Sequence, residues 1–64
     1  MSKYALRDEY EAAKANAMTS PFVRWCLSNR ITSDWREAQF LAVDPYPGAV
    51  KIRDRYRAET GERL

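Results

Sequence analysis

Lys51, Arg53, Arg55 and Arg57 stand at every second position of one short segment, with Tyr56 among them and Asp54 as the only opposing charge. Clustered guanidinium groups suit phosphates or acidic protein surfaces, because their planar donors pair with oxyanions two at a time. What surface they form depends on the backbone that carries them. On a strand all four would point the same way, since side chains alternate with period two. On a helix Lys51 and Arg55 fall on one flank of an Ala49, Ile52, Tyr56 stripe and Arg53 and Arg57 on the other, which is a poorer reader of a nucleic-acid groove. The blander arrangement lays these long stems over the edges of a small core, with Asp54 and Glu59 as loose partners.

Little else in the chain could do chemistry. There is no histidine, which removes the commonest general base and the commonest metal ligand together. Cys26 is the single cysteine and sits between Trp25 and Leu27, as a core residue would. Asp8, Glu9 and Glu11 diverge around the polar side of a helix instead of meeting across a pocket. No glycine-rich phosphate loop, dinucleotide fingerprint or acidic calcium loop occurs. The expectation is a protein that is not an enzyme and uses no cofactor or metal.

Aromatic residues are the other candidates for contact, because Trp and Tyr are enriched both in cores and at binding hot spots. Trp25 and Trp35 read as core, although Trp35 stands beside Arg36 in a first helical turn, where an aromatic–arginine pair can reach the surface. Tyr4, off the apolar stripe of its helix, and Tyr46, in a proline-rich loop, are expected to be exposed. The candidate partner-binding residues are therefore Tyr4, Trp35, Arg36, Tyr46, Lys51, Arg53, Arg55 and Arg57.

The elements that must position these residues are mostly helical. Ser2 is placed to cap a first helix in which Leu6, Tyr10, Ala13 and Ala17 recur at helical period and should face the core. Arg7, Glu11 and Lys14 form its opposite, solvated face. Its alanines would let a neighbouring helix, or a second copy of the chain, come close. Ser20 followed by Pro21 marks the start of a second helix, with Phe22, Val23, Trp25, Cys26 and Leu27 around most of its circumference and Arg24 and Ser28 outside; Asn29 and Arg30 end it. Thr32 or Ser33 can cap a third helix, with Asp34 and Glu37 in its first turn and Trp35, Ala38, Leu41 and Ala42 buried. Residues 44–48, Asp-Pro-Tyr-Pro-Gly, interrupt regular structure. A last helix, with Ala49, Ile52 and Tyr56 as its stripe, then runs to about Thr60, where Gly61 stops it.

The fold expected is all-α, a single small domain over 1–64 of three to four short helices. One alternative competes at 39–53, where two β-compatible runs flank the turn-rich loop, as in the hairpin of an α+β, winged-helix-like layout.

At 64 residues the chain buries only about 60% of the surface it exposes when unfolded, so its core is small. An apolar content of 45% nevertheless sets it apart from disordered sequences. Its start has no apolar stretch resembling a signal peptide and its longest apolar run, 40–43, is far too short to span a bilayer, so the expected setting is cytoplasmic, without membrane contact. A net charge of +2 is weak evidence for nucleic acid. The expected function is a binding protein that docks on a larger protein as adaptor, inhibitor or assembly component; proteins of this size are common in phages and mobile elements, which suggests such an origin. The alternative is a nucleic-acid-binding regulator that uses segment 51–57. A homodimer is compatible with either.

Overall fold

The computed structural model describes the backbone of residues 2–64 and the side chains of residues 7–64. Four helices follow one another: α1 (Ser2–Ala17), α2 (Pro21–Ser28), α3 (Trp35–Leu41) and α4 (Pro47–Thr60), and among the described residues there is no strand. The hairpin alternative at 39–53 is thus overturned. The segment instead holds the end of α3 and the start of α4, since helical register brings Ala49, Ile52 and Tyr56 to one side, where Ala49 is buried and Ile52 and Tyr56 pack with the core. The capping of α1 by Ser2, the side chain of Tyr4 and the placement of Leu6 lie outside the described residues.

Each helix starts and stops where local chemistry dictates. The Ser20 hydroxyl accepts the Val23 N–H at 3.3 Å and Pro21 opens α2 at a position where its missing N–H leaves no bond unmade. At the other end Arg30 adopts φ 58°, Ile31 N–H bonds to Cys26 O at 2.9 Å and Arg30 N–H to Leu27 O at 3.3 Å. That pair of bonds is a Schellman stop, with arginine in the left-handed position usually held by glycine. Gly61 fills the equivalent position after α4, at φ 74°.

The cap of α3 differs from expectation. Asp34, not Thr32 or Ser33, holds it, its Oδ1 accepting the Arg36 N–H at 2.9 Å. Thr32 braces the turn from outside, accepting the Asp34 N–H and donating to the Glu37 carboxylate. Helix α4 also begins earlier than expected, at Pro47, so the interruption between helices is confined to the residues before it.

The core consists of Ala17, Phe22, Val23, Cys26, Trp35, Ala38 and Tyr56, with Met18, Trp25, Leu27, Ile31, Leu41, Ala42 and Ile52 packed around them. Helix α3 is central and contacts α1, α2 and α4. Tyr56 joins α4 to α2 by meeting Phe22 and Trp25 edge-on at 5.1 and 5.3 Å. The stripe expected to bury α1 is only partly used. Ala17 is buried, but Ala13 is exposed and Tyr10 is 46% exposed. The reason is length. At 1.5 Å per residue α1 is about 24 Å long and α3 about 10 Å, so α1 overhangs the helix it packs on.

Two predictions follow from this packing. Left-handed backbone is unfavourable for any residue with a Cβ by roughly 1–2 kcal/mol, so Arg30→Gly should raise stability by about 1 kcal/mol in urea denaturation. Burial lifts the Cys26 thiol from its ordinary 9.0 to about 11. The unfolded chain therefore loses its thiol proton first as the pH rises. Stability from this group should be complete below pH 9 and disappear as the pH rises through about 11, a loss of roughly 2–3 kcal/mol that Cys26→Ala abolishes. Unfolding followed from pH 8 to 12 checks it.

Candidate functional site

The basic segment lies along α4, and helical geometry splits it, as the sequence implied for a helix. Arg53 turns inward. Its Nη1 donates to Leu41 O at 2.6 Å and to Asp44 O at 2.8 Å, closing the end of α3 with a charge of favourable sign for a helix C-terminus. Arg55 pairs with Glu59 at 2.8 Å and its guanidinium stands 5.5 Å from the Trp25 ring. That hydrogen bond holds the Glu59 carboxyl below the usual carboxylate range. Arg57 pairs with Asp54 one turn back. Lys51 is exposed and has no carboxylate partner among the described residues. Three of the four cations are therefore engaged within the molecule, and the four do not share a face.

The aromatic candidates separate as well. Trp35 is 8% exposed and belongs to the core, its indole N–H donating to the Tyr10 hydroxyl at 3.2 Å. Arg36 stands over this pair, its guanidinium carbon 5.8 Å from each ring centre and its Nε 3.7 Å from Asp34. The Trp35–Arg36 pair thus exists, with the surface aromatic supplied by Tyr10 instead of Trp35. Tyr46 is exposed, as expected, and caps α4 without a side-chain bond.

Sequence reasoning missed two of the most exposed apolar side chains among the described residues. Phe40 is 70% exposed and Val43 75%. With Arg36 and Gln39 they line a shallow cavity of about 340 Å³ on the side of α3 turned away from the core. Positions 36, 39, 40 and 43 follow the spacing of one helical stripe, so this surface is the reverse side of the face that buries Trp35 and Ala38. The signal was present in the sequence: Phe40 lies off the Trp35, Ala38, Leu41, Ala42 face. Tyr10 and Arg36 extend the stripe toward α1, giving a strip of two aromatics, one aliphatic side chain, an amide and a cation.

Among the described residues no three His, Cys, Asp or Glu side chains gather as a metal site would need, and no helix is long and apolar enough to cross a membrane. No family model, curated protein or solved structure matches the chain.

The roles of the arginines can be separated by stability alone. Arg53→Ala leaves two carbonyls at the end of α3 without their charged donor and should cost about 1–3 kcal/mol. Arg57→Ala removes only an exposed pair and should change stability by less than about 0.5 kcal/mol. Urea unfolding of the two variants, with no ligand present, measures the difference.

Proposed function

We propose that the protein is a non-enzymatic binding module that docks on a larger protein through the outer stripe of α3, with Phe40 and Val43 as anchors. The observation that carries this reading is their exposure, Phe40 on α3 and Val43 in the turn directly after it, away from the face of α3 that packs on the rest of the molecule. Large apolar side chains left in water beside a cation and an amide match the composition of an interface centre and its rim. A standard interface takes about 800 Å² from each partner, about one-sixth of the 4958 Å² surface of this chain. A partner seated on Phe40 and Val43 therefore also reaches Gln39, Arg36 and Tyr10. Docking of this kind would serve an adaptor, an inhibitor or an assembly component, each of which acts by occupying a surface of something larger. The internal engagement of Arg53, Arg55 and Arg57 weighs against nucleic acid as the main ligand, since each phosphate contact would first have to break a bond already made.

Affinity capture from lysate tests the reading, with and without nuclease and at low and high salt. The expected result is one discrete protein retained after nuclease and in high salt, and lost with Phe40→Ser/Val43→Ser. Loss of a central apolar anchor should weaken binding by about 2 kcal/mol or more, while the exposed positions of both residues should leave thermal stability within about 0.5 kcal/mol. Recovery of nucleic acid alone, abolished by salt and by Arg53→Ala/Arg55→Ala/Arg57→Ala, would overturn it in favour of phosphate recognition. A mass that doubles with concentration and reverts in the Phe40 and Val43 variant would make the partner a second copy of the chain.

A further inference from the structure

On a different side of the molecule from the α3 stripe, a cleft of about 330 Å³ opens between the outer face of α2 and the end of α4. Tyr56 forms its floor. The residue is 2% exposed, and its hydroxyl donates to Glu62 Oε1 at 2.8 Å. The chain reaches this position by a defined route. Gly61 turns the backbone through its left-handed conformation, Glu62 N–H bonds to Thr60 Oγ1 at 3.2 Å, and that hydroxyl donates to Tyr56 O at 2.7 Å. Arg24, Trp25 and Asn29 line the rest of the cleft. Arg24 is exposed, forms no ion pair among the described residues and lines the same cleft as Tyr56.

The cleft thus holds a carboxylate, contributed by Glu62 just beyond α4, against a buried hydroxyl donor, with the unpaired Arg24 in its lining. Glu62 is exposed and its side chain is held by that single hydrogen bond. A bond from a neutral donor to a charged acceptor shifts an equilibrium by about ten- to a hundredfold, and the ordering of the tail offsets part of this. The Glu62 carboxylate is consequently displaceable by one that makes the same bond and also engages Arg24.

We propose that this cleft is a recognition site for an acidic side chain, Glu or Asp, on an extended segment of the protein partner, and that Glu62 is its resident placeholder. The inference rests on the protein-binding reading above but uses a separate surface. Trp25 supplies an apolar wall for the methylene stem, the Tyr56 hydroxyl and Arg24 bind the carboxylate, and the Asn29 amide stands at the rim. Charge complementarity selects the occupant, because a phenol donor with a guanidinium beside it suits an anion and leaves an amide or amine underpaired.

The test uses the full chain and a blocked pentapeptide copying residues 60–64, Thr-Gly-Glu-Arg-Leu, with a version in which its Glu is Gln as the control. Both are titrated at millimolar concentration, the range in which a short tether presents its own ligand, into wild type, Glu62→Ala and Glu62→Ala/Arg24→Ala. The Trp25 indole N–H and Asn29 side-chain resonances report occupancy. In Glu62→Ala the Glu peptide should move both resonances and bind at least tenfold more tightly than in wild type. The Gln peptide should bind at least tenfold more weakly, and Arg24→Ala should narrow the difference between the two severalfold, leaving the part due to the Tyr56 hydroxyl. No movement of either resonance in Glu62→Ala, or equal binding of the Glu and Gln peptides, would overturn the proposal. Because the α3 stripe takes no part in the titration, its failure and the failure of the cleft give different results: loss of capture with intact peptide binding in the first case, and capture without peptide binding in the second.

Discussion

Tyr56 places one aromatic ring against two others, Phe22 at 5.1 Å and Trp25 at 5.3 Å, and that contact ties the last helix to the second. Phe22 and Trp25 are themselves near-parallel at 6.1 Å, so three rings from two helices act as one unit. In a chain with so few fully buried side chains, large aromatic surfaces carry a disproportionate share of the apolar burial. The position of α4, and with it the whole basic segment, depends on this cluster. So does the cleft above it, because the hydroxyl of Tyr56 emerges where its ring leaves the core.

Helix α3 is the second constraint. It is seven residues long, too short to be stable in isolation, and it exists because Trp35 and Ala38 are buried against its neighbours while both ends are satisfied by side chains. Asp34 closes one end and Arg53, reaching across from α4, closes the other. A helix held this firmly presents Phe40 to water in a fixed orientation, with Val43 in the turn directly after it. Phe40 is exposed because α3 has only one buried face, and Val43 is exposed in the turn that follows the helix.

The arginines show how charge in a sequence and charge available to a ligand differ. Arg53, Arg55 and Arg57 are equivalent by composition, yet one closes a helix and two sit in ion pairs along α4, one of them beside an indole ring. Arg24, which has no such neighbourhood in sequence, is the guanidinium left without an ion pair beside a buried hydroxyl. Local density of positive charge is therefore a weak guide here, since each guanidinium responds to the acceptors within its own reach of about one helical turn.

By itself the sequence determined an all-α chain of three to four helices, because most of the signals are local: Ser20 and Pro21 at one start, Asn29 and Arg30 and then Gly61 at two stops, and the Ala49, Ile52, Tyr56 spacing of the last stripe; between a hairpin and two helices at 39–53 only the packing decided. It also determined that Cys26 is buried and that a helical basic segment splits into two flanks. Tertiary structure alone decided that Asp34 and not Thr32 or Ser33 caps α3, that the Tyr10 and Ala13 part of the α1 stripe overhangs, that Arg53 is engaged by carbonyls of another element, and that the exposed Glu62 side chain lies against the Tyr56 hydroxyl. The physical reason is one of range. Caps and stripes depend on residues within about four positions of each other. Exposure depends instead on how far neighbouring helices extend, and whether a charge is engaged depends on which distant acceptor the packing brings within about 3 Å.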